Sequence, residues 1–302
     1  MNNKLLSKMP ICLIILISSV NTHAENWSLV AEMLMSNDDV VNYGDIYDTG
    51  NIESESDSAL SYLVNAEYRW NDQWLTSFEF SDEQYQDQSQ FDSHYHSVSL
   101  DWSQTIGDFD FSFYGSRIDI VLENTDLTLD MVSPSVSYFF SNGVFLNLSH
   151  TLLEKSFSNA ALNDLSAKNN AMGLSAYYFF SNSSAFVSIT HTDANENAND
   201  DNYDYDQKTT SVSLQKSFPF SGKSSKVNLS YAVRKRVYTE VNATDEQYRS
   251  FEDRTRIKIY FDTRLNTQWA LRLSYDYKDR DSSLADYTYD NNYYSFRIQY
   301  KH

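Results

Sequence analysis

The chain has 302 residues and a formal net charge of −19, and 15% of its residues are aromatic, with 23 tyrosines and 18 phenylalanines. A chain this acidic is repelled by a phosphate backbone, which excludes nucleic acid as a partner. The single cysteine, Cys12, lies in an N-terminal leader, so the mature chain is expected to lack disulfides, thiolate metal sites and a cysteine nucleophile.

Residues 1–24 have the features of a cleaved secretory signal peptide. Lys4 and Lys8 give a positive start, and residues 11–20 form an apolar run too short to span a bilayer. Small residues occupy the −3 and −1 positions of a cleavage site, which predicts cleavage after Ala24. The rest of the chain is then one domain, residues 25–302.

One sequence pattern occurs twice in this domain, at residues 134–151 and 175–192. In the first copy Tyr138 and Phe140 fall on one face, and Ser137 falls on the other. Side chains alternate between faces in a strand, so each copy predicts a β-hairpin with one apolar face and one largely small-polar face.

The same alternation recurs along the chain and predicts fourteen strands of about 10 residues, the length that a tilted strand needs to cross a bilayer. The predicted strands are 26–36, 59–70, 74–82, 93–103, 109–118, the four strands of the two hairpin copies, 208–218, 226–237, 253–263, 269–278 and 292–302. Short turns alternate with polar connections at 37–57, 83–92, 119–126, 153–168, 193–207, 239–252 and 279–291.

This pattern predicts an all-β fold: a closed antiparallel transmembrane β-barrel with short periplasmic turns and long acidic extracellular loops. A secreted β-sandwich or β-helix is the alternative. Closure is expected between the last and first strands, because unpaired backbone groups in hydrocarbon each cost several kcal/mol. Aromatic residues beside the short turns predict a girdle at the periplasmic headgroup level. They are Trp70, Trp74, Trp102, Phe109, Phe140, Phe180, Phe218 and Trp269.

If the apolar face meets lipid, the other face lines the lumen and carries charge. The first five strands predict an acidic arc, whose main members are Glu67, Glu79 and Asp101, with Glu32, Arg69 and Asp110 beside them. The last four strands predict a larger basic arc of Arg234, Arg236, Arg254, Arg256, Lys258, Arg272, Lys278, Arg297 and Lys301.

Two interpretations of these arcs remain open. Fixed charges in a pore wall select permeants by sign, so the basic arc favours a passive channel or conduit for small polar, anionic solutes. In the other interpretation the charges pair across the lumen and seal it. A barrel of about 14 strands lies between filled 8-strand barrels and open 16–18-strand porins, so the number of strands does not decide between an open and a sealed lumen.

The C-terminal segment, residues 294–302, resembles the signal that the barrel-assembly machinery reads in bacterial outer-membrane barrels. Its alternating positions are Phe296, Ile298, Tyr300 and His302, where Phe is usual at the last place. The whole mature chain resembles this class of porin-like barrels, which implies an outer-membrane location and this machinery as a partner. Residues 280–282 and 286–290 are also similar to the C-terminal barrel of surface lipoprotein assembly modifiers, which normally carry helical repeats that this chain lacks.

No pattern indicates an enzyme, a cofactor or a metal site. The candidate histidines are His94, His96, His150 and His191, and the last two occupy equivalent places in the repeated hairpin. There is no Gly-x-Ser-x-Gly motif. Outer-membrane lipid and lipopolysaccharide are the expected surroundings, since acidic loops can bridge to lipopolysaccharide through divalent cations. Export of surface lipoproteins or polysaccharide, and a non-conducting surface anchor or adhesin, stay open as alternatives, as does the oligomeric state, with a monomer favoured.

Overall fold

The computed structural model describes residues 26–39, 56–122, 125–180, 184–239, 241 and 248–302. The predicted signal peptide and most of the connection 37–57 lie outside the described residues. Within the described ranges, no helix is long and apolar enough to cross a membrane.

Fourteen strands and four short 3₁₀ helices make up the described chain. The strands are β1 (Trp27–Asp38), β2 (Asp57–Arg69), β3 (Trp74–Tyr85), β4 (Ser93–Ile106), β5 (Phe109–Leu122), β6 (Asp126–Phe139), β7 (Val144–Phe157), β8 (Ala167–Phe179), β9 (Ala185–Ala198), β10 (Tyr205–Phe220), β11 (Lys223–Tyr238), β12 (Phe251–Arg264), β13 (Trp269–Ser282) and β14 (Tyr289–Lys301). The 3₁₀ helices are Ser89–Phe91, Ala160–Leu165, Asp201–Tyr203 and Ala285–Tyr287.

Each strand pairs antiparallel with its neighbours in the chain, and the sheet closes between β1 and β14. Met33 of β1 lies opposite Ile298 of β14 on one side and Tyr62 of β2 on the other. The predicted closed antiparallel barrel of 14 strands is therefore confirmed. Closure leaves no strand edge, so every strand has two hydrogen-bonded neighbours.

The two faces of the sheet differ as the alternation predicts. Large apolar side chains are exposed on the outward face, for example Phe80, Leu174 and Ile189. On the inward face polar side chains such as Ser99 and Asn291 are buried. An apolar outside and a polar inside are the arrangement of a barrel whose solvent on the outside is lipid.

The strands are longer than the predicted ones, and all seven predicted connections are partly wrong, because each contains the end of at least one strand. Two of them show this well. The range 153–168 contains the end of β7 and the start of β8, and 193–207 contains the end of β9 and the start of β10. The outward residues at the end of β9 are polar, beginning with Asp193. Both faces of a strand end meet water once it rises above the bilayer, so the alternation that marks a strand disappears there.

The outward face is recessed at the closing seam. A groove of about 890 Å³ on the outward face is lined mainly by apolar side chains from β11 through β14, β1 and β2, among them Met35, Tyr62 and Phe261. Tyr62 faces outward and is nevertheless only 6% exposed, because it lies in this groove.

Two cavities lie against the inward face beside the seam. One cavity of about 320 Å³ lies against β14 and β1 to β5, and a second of about 470 Å³ lies against β10 to β14 and β1. Glu32 and Arg297, which face inward on the two seam strands, border both cavities.

Candidate functional site

The inward face of β11 to β14 forms the basic arc, and here cations outnumber carboxylates by twelve to three. The cations are Lys226, Arg234, Arg236, Arg254, Arg256, Lys258, Arg264, Arg272, Lys278, Arg280, Arg297 and Lys301. The carboxylates are Glu252, Asp262 and Asp276. All nine residues predicted for this arc lie on the inward face. The prediction did not include Lys226, Arg264 or Arg280, the last because its range was assigned to a loop.

The inward face of β1 to β5 forms the acidic arc, with eight carboxylates and one cation, Arg69. The carboxylates are Glu32, Asp38, Asp57, Glu67, Glu79, Glu83, Asp101 and Asp110. The prediction of the acidic arc did not include Asp38, Asp57 and Glu83, because these strand ends were assigned to the polar connections 37–57 and 83–92.

The inward face of β6 to β10, the neutral arc, carries only one pair of charges. Lys155 donates to Glu196 at 2.8 Å, and both side chains are largely buried. Small hydroxyl and amide groups occupy much of the remaining inward surface and bond to one another. Ser135 lies 2.7 Å from Ser112 and accepts from Asn147 at 3.2 Å.

The charges of the basic arc pair along the wall. Asp262 accepts from Arg272 at 2.6 Å and lies 3.1 Å from the Lys226 amine, so one carboxylate serves the strands on both sides of it. Arg256 pairs with Asp276 on the next strand. At the seam Arg297 pairs with Glu32 at 2.7 Å and joins the basic arc to the acidic one. Within the described ranges these contacts link adjacent strands and do not bridge the lumen.

Glu252, near the extracellular end of β12, is the most enclosed charged residue among those that the structure describes, with no exposed surface. Its carboxylate pairs with Arg234 and Arg280, accepts from Arg249 at 2.8 Å and lies 3.3 Å from Arg254. A buried carboxylate held by several guanidinium groups fixes the side chains of three strands and a loop in one arrangement.

Aromatic rings complete this arginine cluster. The Arg236 guanidinium lies 3.8 Å from the centre of the Tyr205 ring, and Arg249 lies 4.3 Å from that of Tyr287. Stacking on ring faces stabilises guanidinium groups that have left bulk water.

A collar of loop residues packs inside the extracellular mouth. Leu165, from the 3₁₀ helix between β7 and β8, is buried against the inward-facing Leu122, Leu127 and Phe157. Tyr203 packs on this cluster and also meets Tyr248, with ring centres 5.9 Å apart. Burial raises the pKa of the Tyr203 phenol, which keeps the ring neutral in the collar. Residues 40–55, the greater part of the connection 37–57, lie outside the described residues.

Five aromatic rings, which we call the ring cluster, lie on the inward face at the periplasmic end of β6 to β9. They are Phe139, Phe145, Tyr177, Phe179 and Phe186. Ring centres are 6.0 Å apart for Phe139 and Phe179, and 5.5 Å apart for Phe179 and Phe186. Each repeated hairpin contributes two phenylalanines, and Tyr177 adds a fifth ring.

Sequence reasoning did not identify the ring cluster, although the repeat contains its signal. Two consecutive phenylalanines before each turn must point to opposite faces, so one of each pair is inward. Phe140 and Phe180 are the outward partners of Phe139 and Phe179.

The residues predicted for the periplasmic girdle lie beside the short turns on the outward face. Trp70, Phe140, Phe180 and Trp269 are exposed there, and the rings of Trp74 and Trp102 are 6.2 Å apart. Of the residues predicted for the assembly signal, Phe296, Ile298 and Tyr300 also face outward on β14. His302 follows this strand and donates its backbone N–H to Leu29 at 2.9 Å.

The four candidate histidines, His94, His96, His150 and His191, face outward and lie apart from the lumen. His94 lies 3.3 Å from Asp82, and His191 lies 2.8 Å from Thr210. His96 packs on Phe80, and His150 lies 2.6 Å from Asn170. In the part of the chain that the structure describes, no three His, Cys, Asp or Glu side chains form a group able to hold a metal ion.

Neither a protein-family model nor a curated protein matches the sequence. Solved structures do match the fold. An anion-selective porin from Comamonas acidovorans has a TM-score of 0.50 and 10% identity, with 91% of this chain and 98% of that chain covered. A variant of OccD1 (OprD) has a TM-score of 0.50 and 7% identity, covering 93% and 97%. CdiB from Acinetobacter baumannii has a TM-score of 0.51 and 8% identity, covering 91% and 60%.

The fold is that of the porin-like bacterial outer-membrane β-barrels. This fold, with its apolar outward band, assigns the chain to the bacterial outer membrane. At these identities the likeness concerns the fold alone, so function has to be argued from the lumen.

Proposed function

We propose that the barrel is a passive channel for small polar solutes, in which anions are favoured along the basic arc. The observation that carries this proposal is the excess of cations on the wall from β11 to β14, which runs from Arg280 near the extracellular end to Arg264 at the periplasmic end. Fixed charge on a low-dielectric wall raises the local concentration of counter-ions.

The direction of the ion pairs supports an open lumen. Arg272, Lys226 and Arg256 hold carboxylates on adjacent strands of the same wall. Pairs of this kind fix side chains against the wall, where they leave the space in front of it to water. Pairs across the lumen would close it.

The carboxylates of the acidic arc limit the strength of the preference for anions. Its eight carboxylates attract cations on the opposite side of the seam, so selectivity is the balance of two walls. The larger excess on the basic arc gives a modest preference for anions. Removing a carboxylate from the acidic arc should strengthen that preference.

Reversal of one charge tests the proposal. Lys258 lies on the inward face of β12, half-buried, with no carboxylate within ion-pair distance among the described residues. In planar bilayers under a salt gradient, we expect Lys258→Glu to move the reversal potential toward cation preference, because one wall charge changes sign in the lumen.

Lys235→Glu is the matched control, because this substitution makes the same charge change at a residue on the outward face of β11. It should leave the reversal potential unchanged. A folded wild-type barrel with no conductance would contradict the proposal, as would equal shifts in the two variants.

The collar favours a second candidate, a barrel closed to solutes that serves as a surface anchor. Leu165 and Tyr203 pack inside the mouth with other apolar groups, and such packing excludes water. If the wild-type barrel and a Tyr203→Ala variant are both folded and both silent in bilayers, this candidate replaces the channel. If the wild-type barrel conducts and Tyr203→Ala conducts more, the collar narrows the channel.

A further inference from the structure

The ring cluster occupies a place where apolar rings have no lipid to meet. Phe140 and Phe180 point into the girdle, whereas their neighbours Phe139 and Phe179 point into the barrel. Phe139 is 53% exposed on this inward face. Apolar surface left in water is unfavourable, and an exposed aromatic patch in a concave wall is typical of a ligand site.

Small hydrogen-bonding groups surround the ring cluster. The inward positions next to it along the four strands are Ser137, Asn147, Ser175 and Ser188. Hydroxyl and amide groups both donate and accept hydrogen bonds. None of these four residues is charged. Asp110 of β5 lies opposite Ser137 in the register, whereas the charged pair of the neutral arc, Lys155 and Glu196, lies toward the extracellular ends of β7 and β9.

A sugar ring has the complementary chemistry. One of its faces presents C–H groups that pack flat on an aromatic ring, while its edge presents hydroxyl groups that both donate and accept. Ser137 and Asn147 bond to the Asp110 carbonyl and to Ser135, and Ser175 bonds to Thr190, yet hydroxyl and amide groups can each make further hydrogen bonds. A sugar hydroxyl can use that remaining capacity, whereas an apolar solute cannot.

The ring cluster lies at one mouth of the lumen. Phe139 and Phe179 are the last inward residues of β6 and β8, and Phe145 and Phe186 are the first inward residues of β7 and β9. A solute that passes the periplasmic end of the neutral arc therefore meets these rings.

We propose that the ring cluster is a binding site for short saccharides at the periplasmic end of the lumen. The proposal rests on the proposed channel function for access to the site and names a class of solute that the channel takes. Binding itself is measurable without conductance.

Titration of purified barrel in detergent tests the site, with maltotriose as the neutral probe and trigalacturonate as the acidic one. We expect wild-type protein to bind at least one of them by isothermal titration calorimetry. Phe139→Ala and Phe179→Ala should each weaken binding about tenfold or more, since each removes a ring that stacks on the sugar.

The adjacent rings give matched controls. Phe140→Ala and Phe180→Ala remove the same side chain one position away, on the lipid-facing side, and should change affinity less than twofold. Heat-modifiable migration on gels verifies that all four variants fold.

Two outcomes would overturn the proposal: no binding of either saccharide to the wild-type barrel, or equal losses of affinity in the inward and outward variants. Failure of the channel is a separate result. A barrel that binds maltotriose but carries no current would keep the site and remove the channel function.

Discussion

The basic arc and the neutral arc line the same lumen with different chemistry. Around Glu252 the basic arc is held by buried charge pairs that join three strands and a loop. The neutral arc is held by hydroxyl contacts such as that between Ser133 and Thr151 at 2.9 Å, and by ring packing. The backbone ladder fixes the strands in both arcs, so the lumenal side chains are free to serve different roles.

From this comparison we expect that removal of a carboxylate lowers the unfolding free energy more in the basic arc than in the neutral arc. Glu252→Gln leaves buried arginines around a neutral side chain, and we expect a loss of about 3–5 kcal/mol in unfolding free energy. Urea titration of the folded barrel in lipid vesicles measures it. In the neutral arc Glu196 meets one cation, Lys155, and the Tyr205 hydroxyl.

Glu196→Gln is therefore the matched control and should cost less than Glu252→Gln. Equal losses in the two variants would mean that the arginine cluster adds nothing to the stability of its arc.

We expect a smaller loss of unfolding free energy from a substitution in the turn of the first repeated hairpin. Gly143 has φ of +85°, and a Cβ there would lie 2.8 Å from the Phe179 carbonyl oxygen. Gly143→Ala therefore adds a steric clash to left-handed strain and should cost about 1–3 kcal/mol in unfolding free energy. The same urea titration measures it.

Gly107 separates the two contributions, because it has φ of +64° and a Cβ added there would have nothing within 4 Å. Gly107→Ala should show the strain alone and destabilise less. If both variants lose the same stability, close packing of the turn against β8 has no energetic effect.

The smallest expected effect concerns one hydroxyl of the neutral arc. Ser135→Ala removes the contacts with Ser112 and Asn147, and should cost about 0.5–1.5 kcal/mol. Ser213→Ala, on the inward face of β10, serves as the control, since the described structure gives its hydroxyl no side-chain hydrogen bond. A cost for Ser135→Ala no greater than for the control would show that the hydroxyl pairs do not stabilise this arc.

Much of the fold follows from the sequence because the bilayer enforces alternation. Residues 59–70 predict β2 and its faces, and the structure has this strand at Asp57–Arg69. The prediction fails where the bilayer ends. Glu252 and Arg280 fell in ranges assigned to loops, since both faces of a strand are polar above the membrane.

The charge cluster and the ring cluster needed the register of neighbouring strands. Arg234, Glu252 and Arg280 are far apart in the chain, and only the pairing of β11, β12 and β13 brings them together. The repeat shows that Phe139 and Phe179 occupy equivalent positions in the two hairpins. Their contact follows only from strand pairing, because β7 pairs with both β6 and β8 and lies between the two residues. Alternation assigns a face to a residue, whereas its neighbours on that face come from pairing.

The recess at the seam has a consequence for how charge is distributed in the interior. Glu32 and Arg297, paired on the two seam strands, border both inward cavities. Carboxylates outnumber cations in the lining of the cavity beside β1 to β5, and cations outnumber carboxylates in the lining of the cavity beside β10 to β14. One ring of strands thereby offers an anionic and a cationic pocket side by side, joined by a single ion pair.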